Sequence, residues 1–234
     1  MIKRPASELR LGGLTPLTSV DYPGELAAVV YCRGCPWRCP YCHNGHLVDD
    51  SGVRNDGLAW PEVTALLKSR RGLLDALVFS GGEPTAQAAL ADAMSQVRAL
   101  GLKVGLHTGG PFPQRLRELL PLLDWVGLDI KALVEDYPQV TGVPGSGEAA
   151  WQSLALLLEA GVALEVRTTP MPGLDDDSYL QELMRQLADA GVRNYALQQC
   201  QPRHLCDTAL RNRLRQLPEQ WPAAPFEEFA LRAA

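Results

Sequence analysis

The stretch Ala27-Ala-Val-Val-Tyr-Cys-Arg-Gly-Cys-Pro-Trp-Arg-Cys-Pro-Tyr-Cys-His-Asn44 joins an apolar run, typical of a buried strand, to a loop rich in cysteine. Within this cysteine loop (residues 32–44), Cys35, Cys39 and Cys42 follow the pattern Cys-x₃-Cys-x₂-Cys. Three thiolates can hold a cubane iron–sulfur cluster and leave one iron open. A cubane held at every iron carries electrons, whereas an open iron can bind a substrate and support chemistry.

Other assignments of these cysteines fit the spacing less well. A bacterial ferredoxin shows Cys-x₂-Cys-x₂-Cys-x₃-Cys-Pro, whereas this loop, with Cys32 included, has intervals of two, three and two residues. A structural zinc site usually places two Cys-x₂-Cys pairs roughly 12–20 residues apart. A disulfide needs an oxidising compartment, yet Met1-Ile-Lys-Arg-Pro5 leads into no apolar run of a signal peptide. We therefore predict a cluster with an open iron.

Composition limits the class of protein. A chain of 234 residues fits one domain, and its 46% apolar and 21% charged residues are ordinary globular usage. No stretch approaches the roughly 20 apolar residues that span a bilayer. The net charge of −5 argues against binding to a phosphate backbone, which requires clustered Lys and Arg. We therefore expect neither membrane nor nucleic-acid partners. Six cysteines without a secretory signal suit a reducing compartment, so we expect a cytoplasmic protein.

Helical and strand patterns alternate along the chain. Helical patterns end at Gly101, Gly161 and Gly191, where glycine can take the left-handed conformation that closes a helix, and a strand pattern follows each time. The predicted strands are Leu26–Tyr31, Ala76–Ser80, Lys103–His107, Trp125–Asp129, Ala163–Thr168 and Tyr195–Gln199, and the predicted helices are Pro61–Arg70, Ala86–Leu100, Gln114–Leu123, Glu148–Ala160 and Asp177–Ala190. This alternation predicts an α/β fold with a parallel sheet that is open or curled into a barrel, and six units make a partial TIM-like (β/α)₆ barrel. We expect one domain over residues 1–234, with its core at about 24–201 and a helical extension at 202–234.

Polar residues follow the predicted strands, at the edge where parallel α/β folds carry their chemistry. The segments are Ser80-Gly-Gly-Glu-Pro84, His107-Thr-Gly-Gly110, Asp129-Ile-Lys131, Arg167-Thr-Thr169 and Gln198-Gln-Cys200. In the first segment, two glycines let the backbone approach a ligand closely, and Glu83 offers an acceptor for an ammonium group. A tight turn followed by Pro84 at the start of a helix is the alternative. The position of this segment one strand after the cysteine loop favours ligand binding.

The cysteine pattern followed by Gly81-Gly-Glu-Pro84 resembles the radical S-adenosylmethionine (radical SAM) enzymes. A narrower likeness, to the activating proteins of glycyl radical enzymes, lies in Gly12-Gly-Leu-x₅-Val-Asp-Tyr-Pro-Gly24, Cys42-His-Asn44, Asp129-Ile-Lys131 and Glu165-x-Arg-Thr-Thr169-x₂-Pro-Gly173. From about Gly12 to Gln201 the chain is most similar to the anaerobic ribonucleoside-triphosphate reductase activating proteins, and pyruvate formate-lyase activating enzyme is a more distant relative. The resemblance implies the radical SAM fold and reductive cleavage of S-adenosylmethionine (SAM) to a 5′-deoxyadenosyl radical, which generates a glycyl radical on a partner enzyme.

The resemblance also implies roles for individual residues and partners. One [4Fe–4S] cluster would be held by Cys35, Cys39 and Cys42, and Tyr41 would shield the cluster and the adenine. The amino end of SAM would be held by Gly81, Gly82 and Glu83. Further contacts would come from Asn44, Ser80 and Thr108, and from Asp129, Lys131 and Arg167 along the carboxylate and ribose. A flavodoxin or a ferredoxin-type protein would donate the electron to an activase whose partner is a glycyl radical enzyme, here anaerobic ribonucleotide reductase.

One position departs from the pattern of these relatives. Pyruvate formate-lyase activating enzyme carries Asp-Thr-Asn-Gly where this chain has His107-Thr-Gly-Gly110. The Asp of such relatives helps to hold a monovalent cation. Either His107 coordinates the cation or hydrogen-bonds differently, or the cation is absent.

Several cysteines and aromatic residues lie outside the motifs. Cys32 fits a small buried residue at a strand end, and together with Cys200 and Cys206 it leaves too few thiols for a second cluster. Trp37 is a candidate for partner contact. Helical core packing is the expectation for the tail residues Trp221, Phe226 and Phe229.

Three classes of function stay open. The first is an activase that abstracts hydrogen from a glycine of a partner protein. The second is a radical SAM enzyme acting on a small molecule, as 7-carboxy-7-deazaguanine synthase does. The third is a cluster-binding module without catalysis.

Overall fold

The computed structural model describes residues 4–49, 58–171, 173–201, 205, 207–214, 216–217 and 225–232. In this part of the chain the strands lie in chain order in an open sheet: β1 (Leu11–Thr18), β2 (Ala27–Cys32), β3 (Ala76–Gly81), β4 (Lys103–Thr108), β5 (Trp125–Asp129), β6 (Ala163–Thr168), β7 (Asn194–Gln198) and β8 (Glu228–Arg232). The helices are α1 (Gly45–Val48), α2 (Trp60–Ser69), α3 (Leu90–Ala99), α4 (Pro113–Leu119), α5 (Tyr137–Thr141), α6 (Ser146–Ala160) and α7 (Asp177–Asp189). None of these helices has the length and hydrophobicity of a membrane span.

The predicted α/β fold is confirmed, and the six predicted strands correspond to β2 through β7. Strand β3 pairs in parallel with both β2 and β4, and β7 pairs in parallel with both β6 and β8. The mostly parallel, open sheet agrees with a partial barrel. The predicted helix stops are also found, because Gly101, Gly161 and Gly191 have positive φ angles of 82°, 65° and 98°.

Two strands differ from the sequence prediction. Strand β1 lies at the edge of the sheet and pairs antiparallel with β2. It contains Pro16, which has no amide hydrogen to donate and falls where the β1–β2 register shifts between Thr15 and Thr18. Residues 202–234 were predicted to be helical, but Glu228–Arg232 form β8 beside β7. There Tyr195 stacks on Phe226 and Phe229 at centroid distances of 4.7 and 6.0 Å. Trp221 and Cys206 lie outside the described residues.

The chain forms two compact units made of interleaved segments. The first unit contains Met1–Pro36, His46–Thr108 and Gln114–Val126. The second unit contains Trp37–Gly45, Gly109–Pro113 and Gly127–Ala234. The cysteine loop and strand β5 each contribute residues to both units. The site residues are therefore described unit by unit.

An aromatic stack fills the core of the first unit. Tyr22 and Trp125 are buried, and their rings stack 5.1 Å apart against small side chains of β2 and β3. Gly105 of β4 makes room for the stack, because a Cβ there would lie 2.9 Å from Val78 and 3.1 Å from Tyr22. His107 rests edge-on against Trp125 at 5.5 Å. The core of this unit thus supports the end of β4.

Candidate active site

The turn after β3 lies against the backbone at the start of the cysteine loop. Gly81 has φ of +111°, and a Cβ at this position would lie 2.4 Å from the backbone nitrogen of Cys32. A Cβ on Gly82 would lie 2.5 Å from the carbonyl oxygen of Gly34. The amide of Gly82 donates a hydrogen bond to the Cys32 carbonyl at 2.8 Å. Only glycine fits this close approach, and in this unit the turn and the cysteine loop are held together.

Glu83 is a buried carboxylate, 2% exposed, at the end of the same turn. Its Oε1 atom accepts hydrogen bonds from the amide and hydroxyl of Thr85 and, at 2.8 Å, from the hydroxyl of Thr108. The Glu83 amide donates to the Gly34 carbonyl at 2.8 Å. The hydrogen bond between Glu83 and Thr108 therefore joins the ends of β3 and β4 and brings these two predicted site residues together.

Sequence reasoning missed a residue that holds the segment after Glu83. Arg115 of α4 donates hydrogen bonds from Nη1 to the carbonyl oxygens of Thr85 and Ala86, at 3.1 and 2.8 Å. The guanidinium group caps two carbonyls of the short helix Pro84–Ala86. No motif in the sequence marks Arg115, since its partners lie about 30 residues earlier.

None of the cysteines predicted to hold a cluster is in a disulfide, and neither are Cys32 and Cys200. In the first unit Cys35 is half-buried, and its amide donates to the Val48 carbonyl at 3.1 Å. In the second unit the amide of Cys42 donates to the Cys39 carbonyl at 3.1 Å, which closes a turn between these two cysteines. Cys32 is fully buried at the end of β2, as predicted, and burial raises the pKa of its thiol to about 12.

Charged side chains follow β5 and β6 in the second unit. Asp129 accepts a hydrogen bond from Arg167 Nε at 3.0 Å, and its other oxygen lies 3.6 Å from Lys131 Nζ. The Lys131 ammonium lies 5.9 Å from the ring centroid of Tyr41. Burial disfavours the charge of Lys131, but its pKa lies well above the usual range because Tyr41 and Asp129 face it. The unit thus brings together Tyr41, Asp129, Lys131 and Arg167.

Two observations in the second unit fit a bound cluster and cofactor. Burial raises the pKa of the Cys39 thiol, and the nearby Lys131 ammonium lowers it by less, so Lys131 offsets part of the cost of the thiolate that a metal requires. The Tyr41 hydroxyl is buried and has no hydrogen-bond partner among the described residues. A buried hydroxyl without a partner is costly, which favours a ligand at this position.

Residues of the second unit pack against the part of the cysteine loop that begins at Trp37. Trp37 was a candidate for partner contact, but it is buried, with 4% exposed, so this interpretation is wrong for its side chain. Its ring lies against Gly109, where a Cβ would come within 2.4 Å, and it meets Tyr137 edge-on at 5.8 Å. The Arg38 amide donates to the Thr141 carbonyl at 2.8 Å.

His43 is a second residue whose contacts the sequence did not predict. Its Nε2 atom accepts a hydrogen bond from the Gln201 amide at 3.1 Å and lies 3.8 Å from Cys200 Sγ. Burial raises the pKa of the Cys200 thiol to about 11. The Pro40 carbonyl accepts from the Asp207 amide at 2.9 Å. The chain after β7 therefore holds the cysteine loop in place.

Each unit contains a part of the predicted site, and the binding roles of these residues stay predictions. The first unit contains Cys35, Ser80, Gly81, Gly82, Glu83 and Thr108. The second unit contains Cys39, Tyr41, Cys42, Asn44, Asp129, Lys131 and Arg167.

The close approach at Gly82 predicts a large cost for a side chain. Gly82→Ala places a methyl group against the Gly34 backbone, which cannot rotate away, and we expect a loss of about 3 kcal/mol in the free energy of unfolding. The control is Gly101→Ala, where φ is +82° but nothing lies within 4 Å, so only about 1 kcal/mol of backbone strain is expected. Urea denaturation measures both, and equal losses would contradict the described packing.

Comparison with known proteins agrees with these features. The Radical SAM superfamily profile matches residues 29–187. A protein of Methanocaldococcus jannaschii, named as a candidate glycyl-radical enzyme activating enzyme, is 27% identical over 217 residues, which cover 84% of this chain and 82% of that protein. The pyruvate formate-lyase-activating enzyme of Clostridium pasteurianum is 29% identical over 204 residues, which cover 83% of this chain and 82% of that enzyme.

The fold also has a close counterpart among solved structures. The crystal structure of Streptococcus suis SuiB bound to S-adenosylmethionine superposes with a TM-score of 0.62 at 13% identity. The match covers 81% of this chain but only 43% of SuiB, so the chain spans less than half the length of that protein. Radical SAM proteins use a [4Fe–4S] cluster together with SAM, and the three loop cysteines, none of them in a disulfide, and the buried Tyr41 hydroxyl fit these groups. The chain is an enzyme that belongs to the radical SAM superfamily.

Proposed function

We propose that this enzyme is an activase that generates a glycyl radical on a partner protein. The observation that carries the proposal is the Cys-x₃-Cys-x₂-Cys loop in a chain that matches two activating enzymes over more than four fifths of its length. We infer that the partner is an anaerobic ribonucleotide reductase. The segments Gly12–Gly24 and Asp129–Lys131 support this finer assignment through their likeness to the activating proteins of that reductase.

In this proposal Cys35, Cys39 and Cys42 would hold the [4Fe–4S] cluster, which would supply the electron for reductive cleavage of SAM. Lys131 would favour the thiolate form of Cys39. We propose a reducing, cytoplasmic setting with a flavodoxin or a ferredoxin-type protein as electron donor.

The remaining residues would bind and orient SAM. Its charged groups are an ammonium, a carboxylate and a sulfonium, and a pocket with charges of both signs suits them. The turn Gly81-Gly82-Glu83, with Ser80 and Thr108, would face the ammonium group. Lys131 and Arg167, already paired with Asp129, would attract the carboxylate, and the hydroxyls of the ribose would find acceptors there. Tyr41 and Asn44 would contact the adenosyl part.

We also infer that residues 1–234 act as one radical SAM domain with its core at about 24–201. Two observations support this inference. Strands β2 to β7 lie between Ala27 and Gln198, and the superfamily match covers 29–187.

The ligand assignment predicts the effect of removing one thiol. Cys39→Ala should abolish cluster assembly, because two thiolates hold a cubane poorly. Cys200→Ala is the matched control, a buried free cysteine outside the ligand set, and it should retain about four iron atoms per chain. Iron and sulfide analysis after anaerobic reconstitution measures both variants. A full iron content in Cys39→Ala would refute the assignment.

The activase proposal predicts a radical on the partner. The reconstituted, reduced protein is mixed with SAM and an anaerobic ribonucleotide reductase whose competence is established with a known activase. Electron paramagnetic resonance should then show a glycyl radical, with formation of 5′-deoxyadenosine. Cys39→Ala serves as the negative control.

The other outcomes of this experiment separate the competing functions. Formation of 5′-deoxyadenosine without a glycyl radical would contradict the activase proposal and favour a small-molecule radical SAM enzyme of the 7-carboxy-7-deazaguanine synthase kind. The absence of 5′-deoxyadenosine would favour a cluster-binding module.

A further inference from the structure

His107 lies at the end of β4, where related activating enzymes carry an Asp that helps to hold a monovalent cation. The imidazole is in the first unit, between Ser80 of β3 and the segment before β2. Its Nε2 atom lies 2.9 Å from the carbonyl oxygen of Asp21, and its Nδ1 atom lies 3.2 Å from Ser80 Oγ. These two contacts decide whether the residues present fit a cation.

The contacts define the tautomer of the ring. A carbonyl oxygen can only accept a hydrogen bond, so Nε2 carries a hydrogen and donates a hydrogen bond to the Asp21 carbonyl oxygen. In the neutral ring Nδ1 is then an acceptor, and the Ser80 hydroxyl donates to it. Both ring nitrogens are therefore engaged, and neither has a lone pair available for a metal.

The surroundings hold the ring in this orientation. The ring meets Trp125 edge-on, and Trp125 in turn stacks on Tyr22, the residue after Asp21. The Asp21 side chain accepts a hydrogen bond from Thr18 Oγ1 at 2.7 Å, which fixes the same segment from the other side. A ring rotation that freed one nitrogen would break contacts on both sides.

The donor set does not suit an alkali-metal ion. Hard cations take oxygen ligands, preferably carboxylates, carbonyls and water. Here an imidazole stands where the relatives have the Asp carboxylate, and the nearby Asp21 carbonyl already accepts a hydrogen bond from the imidazole. We propose that this site binds no alkali-metal ion, and that the bridge Ser80–His107–Asp21 replaces it, so that SAM binding is independent of Na⁺ and K⁺.

The bridge has a consequence for Ser80 that rests on the proposed function. Because the Ser80 hydroxyl donates its one hydrogen bond to His107, its oxygen can only accept from any other group. An acceptor is what the ammonium group of SAM requires. His107 is thus a positioning residue, which acts on the cofactor through Ser80.

The first test compares cations with the unaltered holoenzyme. The affinity for SAM is measured by titration in sodium, potassium and tetramethylammonium buffers of equal ionic strength. We expect dissociation constants that agree within about twofold, since no cation takes part. Tightening by tenfold or more in sodium or potassium would overturn the inference. This binding test needs no partner protein, so it is separate from the glycyl radical test, and absence of SAM binding in every buffer would overturn both proposals.

The second test uses three variants of His107 in the same buffers. His107→Gln retains one acceptor and one donor, and we expect a smaller loss of SAM affinity than in His107→Leu, which retains neither and should lose tenfold or more. His107→Asp supplies a carboxylate, and its affinity should become dependent on potassium or sodium. Equal losses in the Gln and Leu variants would contradict the bridge. If the SAM affinity of His107→Asp is as independent of the cation as that of the parent, this result would also contradict the proposal.

Discussion

The close backbone approach between the Gly81-Gly82 turn and the start of the cysteine loop is the constraint on which the predicted site residues of the first unit depend. A Cβ at either glycine would lie within about 2.5 Å of backbone atoms of Cys32 or Gly34, and backbone atoms cannot move aside as a side chain can. The same contact places Glu83, whose buried carboxylate joins the turn to Thr108 at the end of the next strand. The two glycines therefore allow the turn that carries the buried Glu83 carboxylate to lie against the backbone at the start of the cysteine loop.

The second unit contributes charge. Asp129 lies between Lys131 and Arg167, and Lys131 also faces Tyr41 and Cys39. Cations close to a buried thiol favour the thiolate, while a carboxylate between two cations limits their cost of burial. The Tyr41 hydroxyl, which has no partner among the described residues, adds a group that a ligand would satisfy. These features suit a charged cofactor next to an iron–sulfur cluster.

The sequence predicted the strands β2 to β7 because continuous apolar runs that follow a helix-closing glycine have few alternatives. Strand β1 was missed because Gly12, Gly13 and Pro16 favour a turn, and only its place at the edge of the sheet makes them acceptable. Strand β8 was missed because a short apolar run does not distinguish a strand from a helix. Predicted site residues such as Thr108 and Asp129 lie at strand ends. The contacts of Glu83 with Thr108 and of His107 with Asp21, however, join residues 25 and 86 positions apart, which no local pattern reveals.

The central claim is that three thiolates leave one iron of the cluster open for SAM. Electron–nuclear double resonance of the reduced holoenzyme, with SAM that carries ¹⁵N in its amino group, tests this claim most directly. The account predicts a hyperfine coupling between the cluster spin and the labelled nitrogen, together with a changed cluster spectrum on addition of SAM. An unchanged spectrum without ¹⁵N coupling, at a SAM concentration that saturates binding, would contradict it.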